Sequence, residues 1–368
     1  MQSKALQKPI RESGIELLRI LMMLQVIFLH VCSSTHGGFT GLAEGGDLGN
    51  GTLLLYRAMF YCSRCPVYVY IILTGYFSVT SNKTFSDVRP KLLKTYFPML
   101  FYSIGIPFVG WAMGMWDLTS IQSIKAFFPF LCKTWYFMTL YLLVVALSPF
   151  LNKCLTNLKK KEYLWLLGIL FFVFCIMTAI SGIKPLSDVF SVDKVVSTQG
   201  GKGLYGFLFM YILGGFLRLH IPPLGGPKIR FLLAFFGLAA INIGLLYAYP
   251  PYFKVITHNQ NLFSVLQCVC LVLFFREVKF RSRVINYIAG SCLGVYMLHE
   301  HPIFRKFIWD SIFPMTQEVG FYSQWYFPLK IAAICVIIFV GCALIDQIRI
   351  YFFKAIDYCI AKGKAAKA

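Results

Sequence analysis

Ten predominantly apolar stretches follow one another along the chain, at 14–32, 53–79, 92–112, 135–151, 163–181, 203–217, 229–247, 260–275, 285–300 and 326–346. A helix needs about 20 such residues to cross the roughly 30 Å hydrocarbon core of a bilayer. Lipid offers no hydrogen-bond partners, so a spanning backbone must satisfy itself as a helix or a closed barrel. The expected fold is therefore all-α: a polytopic transmembrane helix bundle of about ten spans. The stretches 203–217 and 285–300 are short, and 120–131 is too short to span and reads as interfacial. No internal repeat is visible, and one membrane domain over 1–368 with no appended soluble domain is expected. Composition agrees: hydrophobic residues make up 58% and charged residues 14%, against about 25% charged in soluble domains.

The formal net charge is +20. On a soluble chain that value points to nucleic acid. Here the placement of the charges explains it. The two tails and the connections on their side carry 23 Lys and Arg, and the opposite connections carry 8. Lys and Arg accumulate on the cytoplasmic side of membrane proteins, so both termini are expected in the cytoplasm and nucleic-acid binding drops out. No cleavable signal peptide is expected, because the first apolar run lacks a small-residue cleavage site. The 12 cysteines lie mostly alone within apolar runs, where a free thiol behaves as a small hydrophobe. Cys62 and Cys65 form a CSRC pair. No second pair stands at metal-binding spacing, so neither zinc nor redox chemistry is expected there.

The first stretch, GIELLRILMMLQVIFLH, carries Glu16, Arg19 and His30 inside an apolar run. Eleven residues separate Arg19 from His30. At about 1.5 Å and 100° per residue, that is about 16 Å along the axis with a return to nearly the same azimuth. The two groups therefore share one helix face, Arg19 low and His30 towards the outer leaflet. Glu16 stands three residues before Arg19, a spacing that allows a local ion pair. An arginine near a helix end can also snorkel. A histidine at membrane depth, by contrast, faces a protein interior or a water-filled cavity, and a neutral imidazole is the usual general base near pH 7.

The Arg-x10-His spacing inside this helix resembles the signature of the acyltransferase-3 family of integral membrane acyltransferases. CPVYVYIILTGYF (65–77), with Arg64 just before it, resembles the family's second-helix segment. TWYFMTLYLLVVALSPFLN (134–152), with Trp135, Tyr141 and Pro149, is similar to its Trp-containing helix. CLGVYMLHEHP (292–302), with Tyr296 and His299, is similar to its late Tyr-x-x-His segment. The four motifs stand in the family's order along nearly the whole chain.

The resemblance implies transfer of an acyl group, usually acetyl, from cytoplasmic acyl-CoA to a hydroxyl of a cell-surface or exported polysaccharide or its lipid-linked precursor. It implies a multi-pass protein of a bacterial cytoplasmic membrane, whose partners are acyl-CoA, a glycan acceptor and the bilayer. His30 would be the general base, an acyl-histidine being a less favoured variant. Arg19 would stabilise a CoA phosphate or the developing oxyanion, and Glu16 would orient Arg19. The family's cytoplasmic Arg-x-x-Arg has its nearest match in Lys91-x-x-Lys94, with Arg89 beside it. These three are either a CoA phosphate site or ordinary cytoplasmic-side cations, and the second reading prevails for Lys159, Lys160 and Lys161. Trp135 and Tyr141 are candidates for the CoA passage; six residues put them on different faces, so one would line it while the other packs or anchors. Arg64, Tyr296 and His299 are candidates for the acceptor, with snorkelling the alternative for Arg64 and a structural role the alternative for His299. No third metal ligand accompanies His299 and His301 at a useful spacing, so no metal is expected. The glycine-rich stretch 35–51 is either a linker or a cover for the acceptor.

A transporter or glycan exporter is the rival class, with Arg19 and His30 lining the path. Matching Gly/Pro breaks in two halves would mark it, and the sequence has no such symmetry.

Overall fold

The structure, a computed structural model, describes residues 12–32, 50–119, 121–132, 134–182, 189, 199–223, 225–249, 258–314 and 325–365. Most of the glycine-rich stretch at 35–51 lies outside the described residues. Among the described residues all regular structure is helical. Six of the helices among the described residues are long and apolar enough to cross a membrane. They contain α1 (Ser13–Cys32), α4 (Phe85–Ala112), α6 (Tyr136–Leu155), α7 (Lys160–Phe171), α10 (Ile229–Ala248) and α15 (Phe327–Ala365). α7 continues through a π-helical turn at Phe172–Met177 into α8 (Thr178–Gly182).

The other four expected spans are shorter or interrupted, for local reasons. The stretch 53–79 breaks into α2 (Asn50–Cys62) and α3 (Pro66–Ser78). Pro66 occupies the first turn of α3, where its missing N–H costs nothing. The stretch 285–300 breaks at Gly290–Ser291 into α12 (Arg283–Ala289) and α13 (Cys292–His299). The remaining two are α9 (Leu204–His220, 17 residues) and α11 (Leu262–Glu277, 16 residues). Asn261 caps α11 by accepting from the Phe263 and Ser264 amides, which stops that helix growing backwards. The interfacial stretch 120–131 holds the short α5 (Ile121–Ala126) with Ile121, Ile124, Phe127, Phe128 and Leu131 exposed. α14 (Pro302–Phe307) follows α13 and runs into a π-helical turn at Ile308–Ile312.

Two apolar cores meet on α1. Met23, Ile27 and Val31 pack with α4, α6, α13 and α15. Leu18 and Met22 pack with α3, α7, α9 and α11. The helix that carries Arg19 and His30 is thereby enclosed on two sides. α3 and α9 run almost backbone to backbone. A Cβ on Gly75 would overlap the Tyr211 carbonyl oxygen, and one on Gly214 the Ile72 carbonyl oxygen. Lipid supplies no hydrophobic drive between helices, so close packing of small residues takes over that role.

Polar side chains tie the bundle at two further places. Asn152 Nδ2 donates to the Ser78 and Asn82 carbonyls at 2.8 and 2.9 Å, and the Tyr211 hydroxyl donates to Asn152 Oδ1 at 2.8 Å. Asn152→Ala leaves all three partners buried and is expected to cost about 1–3 kcal/mol. A lowered thermal midpoint in detergent, with an unchanged far-ultraviolet spectrum, is the measurement that checks it. On α15 the fully buried Asp346 carboxylate holds Arg349 at 2.6 and 2.8 Å and accepts from Tyr102. Gly294 of α13 is what makes room for that carboxylate, since a Cβ there would overlap it.

Candidate active site

A cavity of about 310 Å³ opens between α1, α3, α6 and α13. Arg19 and His30 both line it, as the shared azimuth along α1 requires. Tyr70 and Thr74 of α3, Tyr141 of α6 and Tyr296 of α13 contribute to the wall. The volume falls within the roughly 300–1,000 Å³ of small-molecule sites.

At one end Arg19 Nη1 donates to both oxygens of Glu16, at 2.9 and 3.0 Å. Glu16 is buried while Arg19 is about one-third exposed, so the carboxylate fixes a guanidinium that still reaches the cavity. The Tyr70 hydroxyl donates to the Arg19 carbonyl at 2.6 Å and clamps this turn of α1 against α3.

At the other end α13 brings two partners to one imidazole nitrogen. His30 Nδ1 lies 2.9 Å from His299 Nε2 and 3.1 Å from Glu300 Oε1. His299 is fully buried, and its Nδ1 stands 2.6 Å from the Val295 carbonyl oxygen. A carbonyl only accepts, so Nδ1 of neutral His299 carries the proton and Nε2 carries the lone pair. His30 Nδ1–H then donates to His299 or to Glu300, which makes Nε2 the basic nitrogen of neutral His30. Glu300 Oε2 is also 3.9 Å from Arg305. His301 stands apart from this group. Its ring packs 5.6 Å from Trp135, and burial, then Arg305, push it down to about 3.

Ligand-type atoms of His30, His299 and Glu300 lie within 4.8 Å of one another. The sequence offered no third metal ligand because the third, His30, comes from the other end of the chain. Two ligands about 2.0–2.1 Å from a tetrahedral zinc stand roughly 3.3 Å apart. The 2.9 Å between the two rings is instead a hydrogen-bond distance.

The other expected site residues divide. Tyr141 and Tyr296 line the cavity. Trp135 does not: it is 1% exposed and packs in the core against His301, so of the two aromatic residues Tyr141 is the one at the wall and Trp135 the one that packs, while its neighbour Tyr136 also lines the cavity. His299, expected in a structural or an acceptor-facing role, is fully buried and stands behind His30, which lines the cavity. Arg64 sits in the break between α2 and α3, its guanidinium 4.9 Å from the centre of the Phe60 ring. Arg89, Lys91 and Lys94 lie exposed on the first turns of α4. They stand outside the cavity wall, although Thr95, next to Lys94, is part of it. Lys91 donates to the Asn82 side-chain oxygen, which gives it a structural partner as well.

Fold and cavity together define a multi-pass, all-helical membrane protein with a histidine-centred internal site. The profile of the acyltransferase-3 family, an acyltransferase domain, matches residues 12–347. The chain belongs to that family and is a membrane acyltransferase. Searches of curated proteins and of solved structures found no match to it.

Proposed function

We propose that this chain is a membrane O-acyltransferase. It takes an acyl group, acetyl foremost, from cytoplasmic acyl-CoA and transfers it to a hydroxyl of a cell-surface or exported polysaccharide or its lipid-linked precursor. The observation that carries this reading is one cavity with a tethered guanidinium and, about 16 Å along α1, an imidazole whose Nδ1 is held by His299 and Glu300. An anion-binding group at one end and a base at the other suit a long donor with phosphates at its tail and a thioester at its head.

In this reading acyl-CoA enters at the Arg19 end with Arg89, Lys91 and Lys94 raising its local concentration. His30 Nε2 removes the proton from the acceptor hydroxyl as that oxygen attacks the thioester carbonyl. Glu300 and His299 hold the ring and stabilise the imidazolium that forms. Collapse of the tetrahedral intermediate breaks the C–S bond, and the imidazolium returns its proton to the leaving thiolate. The products are an ester and free CoA, and the histidine is regenerated.

The test is transfer from radiolabelled acetyl-CoA to a crude glycan extract by protein reconstituted in liposomes. Label is expected in the glycan and released by mild base, as an ester is. Movement of glycan across the vesicle without acetyl-CoA, and no label, would overturn the assignment. The mechanism proposed uses no metal, so prolonged EDTA treatment is expected to leave the rate unchanged. A loss restored by zinc would instead assign His30, His299 and Glu300 to a metal.

A further inference from the structure

The cavity between Arg19 and His30 is long and narrow. The two residues stand about 16 Å apart along α1, and the cavity they both line holds about 310 Å³. Spread over that length, the volume gives a mean cross-section of about 20 Å², close to that of a single extended alkyl chain. A pantetheine arm reaching from the guanidinium to the imidazole fills such a passage in single file. An acyl chain carried on its sulfur has no space to fold back alongside. A methylene takes roughly the volume of a water molecule, about 30 Å³. Hexanoyl exceeds acetyl by four methylenes and so needs about 120 Å³ more, over a third of the whole cavity.

One side chain occupies the room that a longer chain would need. Phe137, in the first turn of α6, is half-buried and lines the cavity. Its ring centre stands 6.2 Å from that of Tyr70, 6.1 Å from Tyr141 and 5.7 Å from Tyr296, three more residues of the same wall. Tyr296 is in turn 6.1 Å from the His299 ring, and His299 is 5.1 Å from His30. Phe137 therefore lies one aromatic layer from the pair of histidines. On its far side, 5.7 Å away, is Phe207 of α9, which is fully buried and outside the cavity wall. Edge-to-face and offset ring pairs favour fixed geometries, and the Tyr70 hydroxyl is tied to the Arg19 carbonyl at 2.6 Å. The phenyl group of Phe137 fills about as much space as three or four methylenes. Without it, the passage would gain a side pocket floored by Phe207.

We infer that Phe137 sets the longest acyl chain that the passage admits, so that the donor is a short-chain acyl-CoA and hexanoyl-CoA is refused. The inference rests on the reading of this cavity as an acyl-CoA passage and is independent of the acceptor. Phe137 acts by occupying space and takes no part in the chemistry at His30.

The experiment measures binding first, on protein in nanodiscs with empty nanodiscs as the blank. Unlabelled acetyl-, butyryl- and hexanoyl-CoA compete against radiolabelled acetyl-CoA. Wild type is expected to bind hexanoyl-CoA about tenfold or more weakly than acetyl-CoA, as a pocket that refuses a larger apolar group does. Phe137→Ala is expected to remove most of that gap, and Phe137→Val, the milder change to the fold, to narrow it. Phe209→Ala is the control. It deletes a ring of the same size from the core, 5.5 Å from Phe174 and outside the cavity wall, and is expected to keep the wild-type ratio. Wild-type binding of hexanoyl-CoA as tight as that of acetyl-CoA, or binding of neither, would overturn the inference. So would a ratio unchanged in both Phe137 variants, or one narrowed equally in Phe209→Ala. Transfer of each labelled acyl group to the glycan extract is measured afterwards on the same samples. A length limit in binding with no transfer of any group would sink the acyltransferase reading and leave the limit standing. Transfer of acetyl and hexanoyl alike would do the reverse.

Discussion

His30→Ala is expected to lower kcat for acetyl transfer by about 10²–10⁴-fold, the usual contribution of a general base, while acetyl-CoA still binds. The reason is local. Among the described residues His30 is the one imidazole that both lines the cavity and has its Nδ1 held by partners at the end of another helix. His299 is fully buried, and His301 is packed on Trp135, so neither replaces it. Alanine leaves room for water but supplies no group to accept the proton in register with the attack. Because the proposed mechanism places the CoA phosphates at the Arg19 end, KM for acetyl-CoA should change little. Glu300→Gln should sit between the two, with kcat reduced and acetyl-CoA binding kept. Glu300→Asp should recover part of the loss, because it restores the charge beside Nδ1. Single-turnover and steady-state rates on reconstituted protein check this. A His30→Ala protein that transfers at the wild-type rate removes the imidazole from the chemistry.

Gly75→Leu is expected to be the most damaging single change to the fold, at about 3 kcal/mol or more. Its Cβ alone overlaps the Tyr211 carbonyl, and a helix backbone cannot give way as a flexible side chain can. α3 and α9 must then separate, and with them goes the Tyr68–Gly201 bond that fixes the turn before Lys202. Gly168→Leu on α7 is the matched control, since no heavy atom lies within 4 Å of a Cβ there. Thermal midpoints in detergent should fall sharply for the first and hold for the second. Equal midpoints would mean that the α3–α9 contact is not a structural hinge of the bundle.

The sequence made some of this legible and hid the rest, for physical reasons. A shared face for Arg19 and His30 follows from helix geometry alone, and both side chains do reach one cavity. The Glu16–Arg19 pair follows from a three-residue spacing and is present. Apolar runs marked where helices lie, but not where they break. The interruption before Pro66 and the one at Gly290–Ser291 each split an expected span. The final helix also runs on to Ala365, well past the end of its apolar stretch at 346, because hydropathy marks lipid-facing length and not helix length. Residues far apart in the chain were the real blind spot. His30 and His299 are 269 positions apart, so nothing in either segment alone shows that their rings meet. Glu300, next to His299 in the chain, lies 3.1 Å from the same His30 nitrogen. Trp135 and Tyr136 part company because α6 begins between them: the residue before the helix is buried in the core, and the first residue within it lines the cavity.

The most direct measurement is a cryo-electron microscopy map of the protein with a non-hydrolysable acetyl-CoA analogue in lipid nanodiscs. The account predicts density running through the cavity from Arg19 towards His30, with the phosphates at the guanidinium end and the carbonyl carbon within reach of the imidazole. Density outside that passage, or an acetyl group held at the Arg19 end with His30 closed off by protein or lipid, would contradict it.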